Sequence, residues 1–383
     1  MKLSGPWLER PATQAVCVML VEAGYQAWFV GGCVRNALIN APVDDIDICT
    51  DARPETVMEL AQKAGLKPVP TGIEHGTITV VSGGIGHEVT TFRRDVETFG
   101  RHAVVAFADT MDDDAARRDF TMNALYADRS GVIADPLGGL PDLKAGHVRF
   151  IGDPYQRIQE DYLRILRFFR FTAWYGNPDL GIDPDGLAAC AELSDGILKL
   201  AAERLGAEMR KLLTAAEPTR AVAAMAQSGV LMQVLPGADA TALGPLVHLE
   251  AEAGLAPDPM LRLASLGNCE AATRLRLSKA EARALAELRD SATEGAPAHE
   301  IGYRLGAERG LQAMILRAAL MGVPMTDGPA VAKSAAAKFP VKAVDLMPAY
   351  QGAQLGLRLK QLEKRWIEAQ FSLTREELLN SPE

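Results

Sequence analysis

Apolar and polar positions change rhythm near residue 153. Before it, short apolar runs alternate with Gly-rich connections; after it, an apolar stripe with a period of 3.6 residues takes over and strand signals nearly vanish. The first part predicts an amphipathic helix over 12–23, a strand over 27–30, a Gly-Gly turn, and a helix to about residue 40. A strand carrying Asp45 and Asp47 follows, then a helix over 56–64, a β segment over 76–81 and a strand over 88–92. These lengths suit a small sheet with helices on one face. The stretch 94–105, with Gly100 and mixed charge, predicts a mobile loop. Residues 153–383 predict an all-helical region, broken at 176–184, 218, 236–244, 257–259 and 324–329, where Pro and Gly gather. Residues 332–338 predict a helix, and a basic helix over 356–367 carries Arg358, Lys360, Lys364 and Arg365. The fold class is therefore α+β, a mixed sheet followed by helices.

At 383 residues and 48% hydrophobic content, the chain can bury two to three cores. Its net charge of -9 removes a whole-protein basic field as the basis of nucleic-acid binding and leaves only a local basic face. Five Cys are scattered without metal-ligand spacing, which fits reduced thiols in the cytoplasm. The apolar run 15–21 ends at Glu22 and follows no basic segment, so it predicts neither a signal peptide nor a membrane span.

Chemistry concentrates in four places. Asp45 and Asp47, two apart on a strand, share a face and can chelate a hard divalent cation. Just upstream, Gly31-Gly32 opening a helix offers backbone N–H groups to a phosphate, and Arg35 adds fixed charge. Together these point to metal-assisted nucleotidyl transfer, although Asp-x-Asp alone is common in ordinary loops. Glu88 reads either as a third carboxylate on a neighbouring strand or as an outward-facing residue. Arg117-Arg118-Asp119 reads as a clamp for a triphosphate or ribose in which the Asp orients the arginines, or as a helix start with Asp119 as N-cap and Phe120 and Leu125 in the core. On one continuous helix Glu160 and Asp161 would share a face with Arg164, a spacing that also describes plain surface ion pairs. Arg157, Arg164, Arg167 and Arg170 complete a cationic stripe there.

Taken in order, these segments resemble the class II tRNA nucleotidyltransferases, the CCA-adding enzymes, within the polymerase-β-like superfamily. The resemblance rests on Val30-Gly31-Gly32-Cys33-Val34-Arg35 with Asp45-Ile46-Asp47, and on Thr71-Gly72-Ile73-Glu74-His75-Gly76-Thr77. It extends through Glu88-Val89-Thr90-Thr91-Phe92-Arg93, Arg117-Arg118-Asp119-Phe120-Thr121-Met122-Asn123-Ala124, and Glu160-Asp161-Tyr162-Leu163-Arg164-Ile165-Leu166-Arg167. Clear matching covers about 25–172, and the last hundred residues match loosely. The resemblance implies a catalytic nucleotidyltransferase head (1–140), a helical neck with the base-reading helix (141–216), a helical body (217–325) and a tRNA-binding tail (326–383). It implies that Asp45 and Asp47 bind Mg²⁺ with Glu88 as third catalytic carboxylate, and that Gly31, Gly32 and Arg35 hold the triphosphate. Arg118, Asp119, Asn123 and Arg167 would join the nucleotide site, and Glu160, Asp161 and Arg164 would read the base. The implied partners are a tRNA lacking its 3′ CCA, CTP and ATP, in the cytoplasm and without a membrane.

The base-reading assignment has its own chemical logic. Cytosine and adenine each present an amino donor beside a ring-nitrogen acceptor, which an Asp and an Arg can match. Uracil and guanine present the reverse and would leave buried groups unpaired, at roughly 1–3 kcal/mol each. Glu160 would hold Arg164 in register. Asn36 stands where the family usually has Asp, so a neutral amide is expected to hold Arg35 less firmly. No His-Asp phosphohydrolase pattern is present, with His248 and His299 isolated as surface or satisfied core residues, so no appended hydrolase domain is expected. The closest rival is a bacterial poly(A) polymerase of the same family, then a CC-only or A-only enzyme. From another class, the chain could be a non-catalytic RNA-binding relative, against which the intact Asp pair argues.

Overall fold

Proline and short acidic side chains start helices in the first half of the chain. Pro11, Pro54 and Pro154 each occupy a first helical position, and the Asp153 side chain accepts from the Tyr155 N–H. The computed structural model describes residues 2–99, 102–267 and 270–380 and divides into two units, Met1–Pro236 and Gly237–Glu383.

The first unit begins α1 (Pro6–Glu9), α2 (Pro11–Glu22), β1 (Trp28–Val30), α3 (Gly32–Leu38), β2 (Asp47–Thr50) and α4 (Pro54–Lys63). Then come β3 (Lys67–Gly72), β4 (Thr77–Ser82), β5 (Ile85–Thr91), β6 (Arg93–Phe99), β7 (His102–Phe107), α5 (Met111–Ala116), β8 (Tyr126–Ala127), β9 (Ile133–Ala134) and α6 (Gly139–Ala145). The helical part follows as α7 (Pro154–Glu160), α8 (Leu163–Tyr175), α9 (Pro184–Glu192), α10 (Ala202–Leu213), α11 (Thr219–Gln227) and α12 (Val230–Val234). The mixed sheet followed by helices is the α+β class expected from the periodicity.

Seven strands form one sheet in the order β3-β4-β5-β2-β1-β8-β9. Among the described residues only β2 and β5 run parallel, which sets Asp47 directly beside Glu88. β2 sits in the interior of the sheet with Ile48, Cys49 and Thr50 fully buried, so its leading residue is carried on a rigid support. α2 and α4 pack together against the β4 and β5 side. The segment expected as a loop at 94–105 belongs to a two-stranded antiparallel ribbon, β6 with β7, pairing Arg93 with Phe107. Val96, Thr98 and Phe99, on the strand paired with a Val- and Ala-rich run, are strand formers, a signal that the interspersed charges obscure in the sequence. Gly100 and Arg101 lie outside the described residues.

α8 buries Leu163, Ile165, Leu166, Phe168, Phe169 and Phe171. Phe120 packs 4.9 Å from Phe150 and 5.0 Å from Phe171 between ring centroids, which ties the loop around residue 120 to α8. Each such buried ring contributes about 1.5–3 kcal/mol. The single helix expected to carry Glu160, Asp161 and Arg164 does not form; the chain breaks between α7 and α8. Asp161 takes an extended conformation (φ -153°, ψ 106°), its Oδ1 accepts from the Leu163 N–H at 3.1 Å, and its carboxylate pairs with Arg204. A side chain that bonds the backbone two residues on and is pulled toward α10 outweighs the helical spacing.

The described residues of the second unit hold helices and connections only, with breaks where the sequence placed them. The helix expected over 332–338 is Gly328–Ala335 and stops early. Arg262 and Glu250, each 2% exposed, form an ion pair at 2.8 Å in its interior. Val341, Leu346, Leu362, Trp366, Ile367 and Leu378 form a separate core near the C-terminal end. Helix Gly352–Glu368 contributes Leu362 and Trp366 to that core and also buries Arg358, so the basic helix offers fewer exposed charges than its sequence suggests; Lys360, Lys364 and Arg365 are exposed. His299 Nε2 donates to the Ile367 carbonyl at 3.1 Å, and exposed His248 lies beside Glu252. Cys17, Cys33, Cys49 and Cys190 are free, buried thiols, while Cys269 lies outside the described residues.

Candidate active site

Asp47 is the first residue of β2, whereas Asp45 precedes the strand and is exposed. The same-face argument therefore does not join the two Asp; it joins Asp47 to its lateral neighbour Glu88, because paired residues on adjacent strands point the same way. Burial raises the Asp47 carboxyl to about 6, Glu88 and Asp45 push it the same way, and Arg118 opposes them. Like charges crowded at a strand end make a place where a divalent cation is favourable. Among the described residues no three His, Cys, Asp or Glu side chains close around one point as a ligand set. The donor chemistry fits a small hard cation all the same, since such ions take one or two carboxylates and complete their shell with water and phosphate oxygens.

Gly31 turns β1 into α3 with φ 71° and ψ -122°, a conformation that favours glycine. A Cβ there would lie 3.4 Å from Arg118 Nη1, so the guanidinium lies against the turn. Arg118 thus lies against Gly31, and its charge acts on Asp47. Its Nε and Nη2 donate to Asp114 Oδ2 at 3.2 and 2.9 Å, and Nε also reaches the Tyr126 hydroxyl at 3.2 Å. Arg117 donates through Nε and Nη2 to Asp114 Oδ1 at 2.9 and 2.6 Å. Asp114, held at about 2 against its desolvation chiefly by Arg118 and Arg117, is the acid that orients both arginines. The residue expected in that role was Asp119. Asp114 was legible in principle, lying three and four residues before the two Arg at helical spacing.

Asp119 faces elsewhere. It is buried and caps no helix; Oδ1 accepts from the Phe120 N–H and Asn123 Nδ2, both at 2.9 Å, and Oδ2 accepts from Arg167 Nε at 2.7 Å. Arg167 foremost, with Asn123 and Arg164 contributing, holds this carboxyl at about 2 against desolvation. Asn123 Oδ1 in turn accepts from Arg35 Nη1. Arg35 is 7% exposed, donates to Asn36 Oδ1 from Nε (3.2 Å) and Nη2 (2.9 Å), and donates to the Tyr175 hydroxyl at 2.8 Å. Its guanidinium lies 4.2 Å from the Tyr175 ring centroid. Arg35, expected to hold a triphosphate, is thus occupied in joining α3 to α8. Gly32 opens α3 beside it, 3.9 Å from Arg35 Nη2 at its notional Cβ.

The base-reading trio is divided. Glu160 pairs with Arg164 and Arg157, as expected for a residue holding Arg164 in register. Asp161 is turned to Arg204 of α10, a partner that no local spacing announces. Arg164 Nη1 also donates to the Arg157 carbonyl at 2.8 Å and Nη2 to the Arg117 carbonyl at 3.0 Å. That last bond links α8 to the pair of arginines beside the Gly31 turn. Arg170 bonds Glu208 of α10, and Arg167 approaches the same acid at 3.9 Å. The structure therefore gathers Gly31, Asp45, Asp47, Glu88 and Arg118 into one group. Arg35, Asn123, Asp119 and Arg167 form a second, linked chain of side chains, and Glu160 and Arg164 meet the first group through the Arg117 carbonyl.

The family described as "Poly A polymerase head domain" matches residues 27–149, and that described as "Probable RNA and SrmB- binding site of polymerase A" matches residues 179–241. A CCA-adding enzyme of Limosilactobacillus fermentum is 38% identical over 227 residues, 59% of this chain and 55% of that protein. One of Oceanobacillus iheyensis is 40% identical over 222 residues, 57% of this chain and 53% of that protein. The aligned stretch thus spans about half the length of these curated relatives. The crystal structure of the Bacillus stearothermophilus CCA-adding enzyme in complex with CTP superposes with a TM-score of 0.71 at 26% identity, covering 97% of this chain and 96% of the other. No helix among the described residues is long and apolar enough to cross a membrane.

Proposed function

The chain belongs to the class II CCA-adding nucleotidyltransferase family, and from that premise we propose that it adds C, C and A in turn to the 3′ end of a tRNA lacking them, using CTP and ATP. The observation that carries this reading is the end of β2: Asp47 beside Glu88, with Arg118 against the Gly31 turn and its charge acting on Asp47. Carboxylates for a cation and a guanidinium beside bare backbone N–H groups are what transfer from a nucleoside triphosphate requires.

In this reading the 3′-hydroxyl oxygen of the tRNA forms a bond to the α-phosphorus while the bond from that phosphorus to the bridging oxygen breaks. Pyrophosphate leaves, and the hydroxyl proton passes to solvent. Asp45 and Asp47 would hold Mg²⁺, which supplies a lowered pKa at the attacking hydroxyl and neutralises charge on the leaving group. Arg118 and the Gly31-Gly32 turn receive the triphosphate. Asp114 with Arg117 and Arg118 carries one net positive charge, suited to that anion. Arg164, held by Glu160, presents donors to the N3 of cytosine or N1 of adenine, and Asp161 accepts from the amino group. The head, neck, body and tail at 1–140, 141–216, 217–325 and 326–383, with the tail on tRNA, and a cytoplasmic location belong to the same proposal.

The test is incubation of the purified protein with Mg²⁺ and a tRNA transcript ending at the discriminator base, with CTP, ATP or both, and product masses read directly. Two C from CTP alone and a terminal A only with both nucleotides is the expected result. An A ladder from ATP alone identifies a poly(A) polymerase instead, and no addition to any RNA overturns the enzymatic reading.

A further inference from the structure

We infer that Asp114 is the positioning residue that aims Arg118 at the nucleotide's phosphates, acting through Arg118 and never touching the nucleotide itself. This rests on the function proposed above. The Asp114 side chain is fully buried. It receives five hydrogen bonds: two from Arg117, two from Arg118 and one from the Tyr126 hydroxyl at 2.9 Å. An ionised carboxylate offers about four lone-pair sites, so none is left for a substrate. Its effect must pass through the groups it holds.

The geometry shows how. A guanidinium is planar, so fixing Nε and Nη2 on one carboxylate oxygen fixes the direction of Nη1. Nη1 is the atom that lies against the Gly31 turn. Tyr126 keeps that oxygen in place from behind: it is fully buried, donates to Asp114 Oδ2, and accepts from Arg118 Nε. Without the carboxylate two adjacent guanidinium groups repel, and of these partners only the Tyr126 hydroxyl on Nε remains to orient Arg118. The placement has a sequence origin, since Asp114 lies within the last turn of α5 and the two Arg follow directly after the helix.

Asp114→Asn keeps the size and replaces one accepting oxygen by an NH₂ that faces arginine donors. The expected result is a kcat/KM for CTP lowered by about 10²-fold, the effect of a small misplacement of a binding group. The change lies mainly in the KM for CTP, with the KM for tRNA unchanged. Because the residue acts through Arg118, Asp114→Asn adds no further loss of CTP affinity in an Arg118→Ala background. An unchanged KM for CTP, or the same additional loss in both backgrounds, overturns the proposal. If thermal unfolding shows that Asp114→Asn does not fold, Tyr126→Phe carries the test: a KM for CTP raised about fivefold supports it, and an unchanged one overturns it. Failure of the wild type to extend any RNA removes the functional reading and this inference with it, and the wild type alone distinguishes that outcome.

Discussion

Arg35 donates two hydrogen bonds to a neutral amide, Asn36, and is enclosed by Tyr175 and Asn123. The amide that the sequence marks as a weaker partner is therefore one of several, and its Nδ2 donates to the Pro42 carbonyl at 2.8 Å. Asn36→Asp makes the two Arg35 bonds charge-assisted and forfeits the bond to Pro42. A net gain of up to about 1 kcal/mol is expected, read by denaturant unfolding; a loss would show that the Pro42 bond outweighs the charge. At Asp47 the opposite trade holds. Its ionised form is disfavoured by burial and by Glu88, so Asp47→Asn is expected to raise metal-free thermal stability while abolishing nucleotide addition. A variant both inactive and destabilised would place Asp47 in the scaffold and not in the chemistry.

Elements that announce themselves by period alone were legible: α2, β1, α3, β2 and α4 lie within a few residues of where apolar runs, Pro and Gly place them. What escaped was decided by partners distant in the chain. The spacing of Glu160, Asp161 and Arg164 reads as one helix because nothing local opposes it, and the break at Asp161 exists because Arg204, 43 residues on, takes both its oxygens. The ribbon β6–β7 escaped because its pairing is a property of two strands together. In the candidate site, the strand-end carboxylate and the glycine turn were legible. Helical spacing makes Asp114 readable as the acid holding Arg117 and Arg118, but Asp119, directly after the pair, is an equally local candidate, and spacing alone does not choose between them. The break also bears on selectivity. Asp161→Ala removes the bond to the Leu163 N–H and leaves Arg204 unpaired, so about 1–2 kcal/mol of stability should be lost. If Asp161 also accepts from the base's amino group, UTP incorporation relative to CTP should rise by roughly tenfold or more in direct competition. Lost stability with unchanged discrimination would confine Asp161 to the helix junction.

Charge governs two properties of the whole molecule, in opposite directions. Asp114 and Asp119 are buried acids held at about 2, below the usual carboxylate value of 3.8, by the arginines that hold them. For acids with a depressed folded pKa the stabilisation is complete above the unfolded value and disappears as pH falls through the folded one. Acid unfolding should therefore steepen between about pH 4 and pH 2, with each residue contributing about 2–3 kcal/mol, and Asp119→Asn should flatten that limb. RNA affinity faces the contrary problem, because a net charge of -9 repels a polyanion over most of the surface. Attraction must come from local cations, and on helix Gly352–Glu368 those exposed are Lys360, Lys364 and Arg365, with Lys364 already 3.8 Å from Glu368. Removing a cation that pairs with a phosphate should lower the slope of log affinity against log salt by roughly 1. Replacing all three by Ala while Leu362 and Trp366 keep the helix docked should reduce that slope by about 2–3 and weaken tRNA binding most at low salt. An unchanged slope would show that this helix serves the apolar core beneath it and that its charges only keep the outer face solvated.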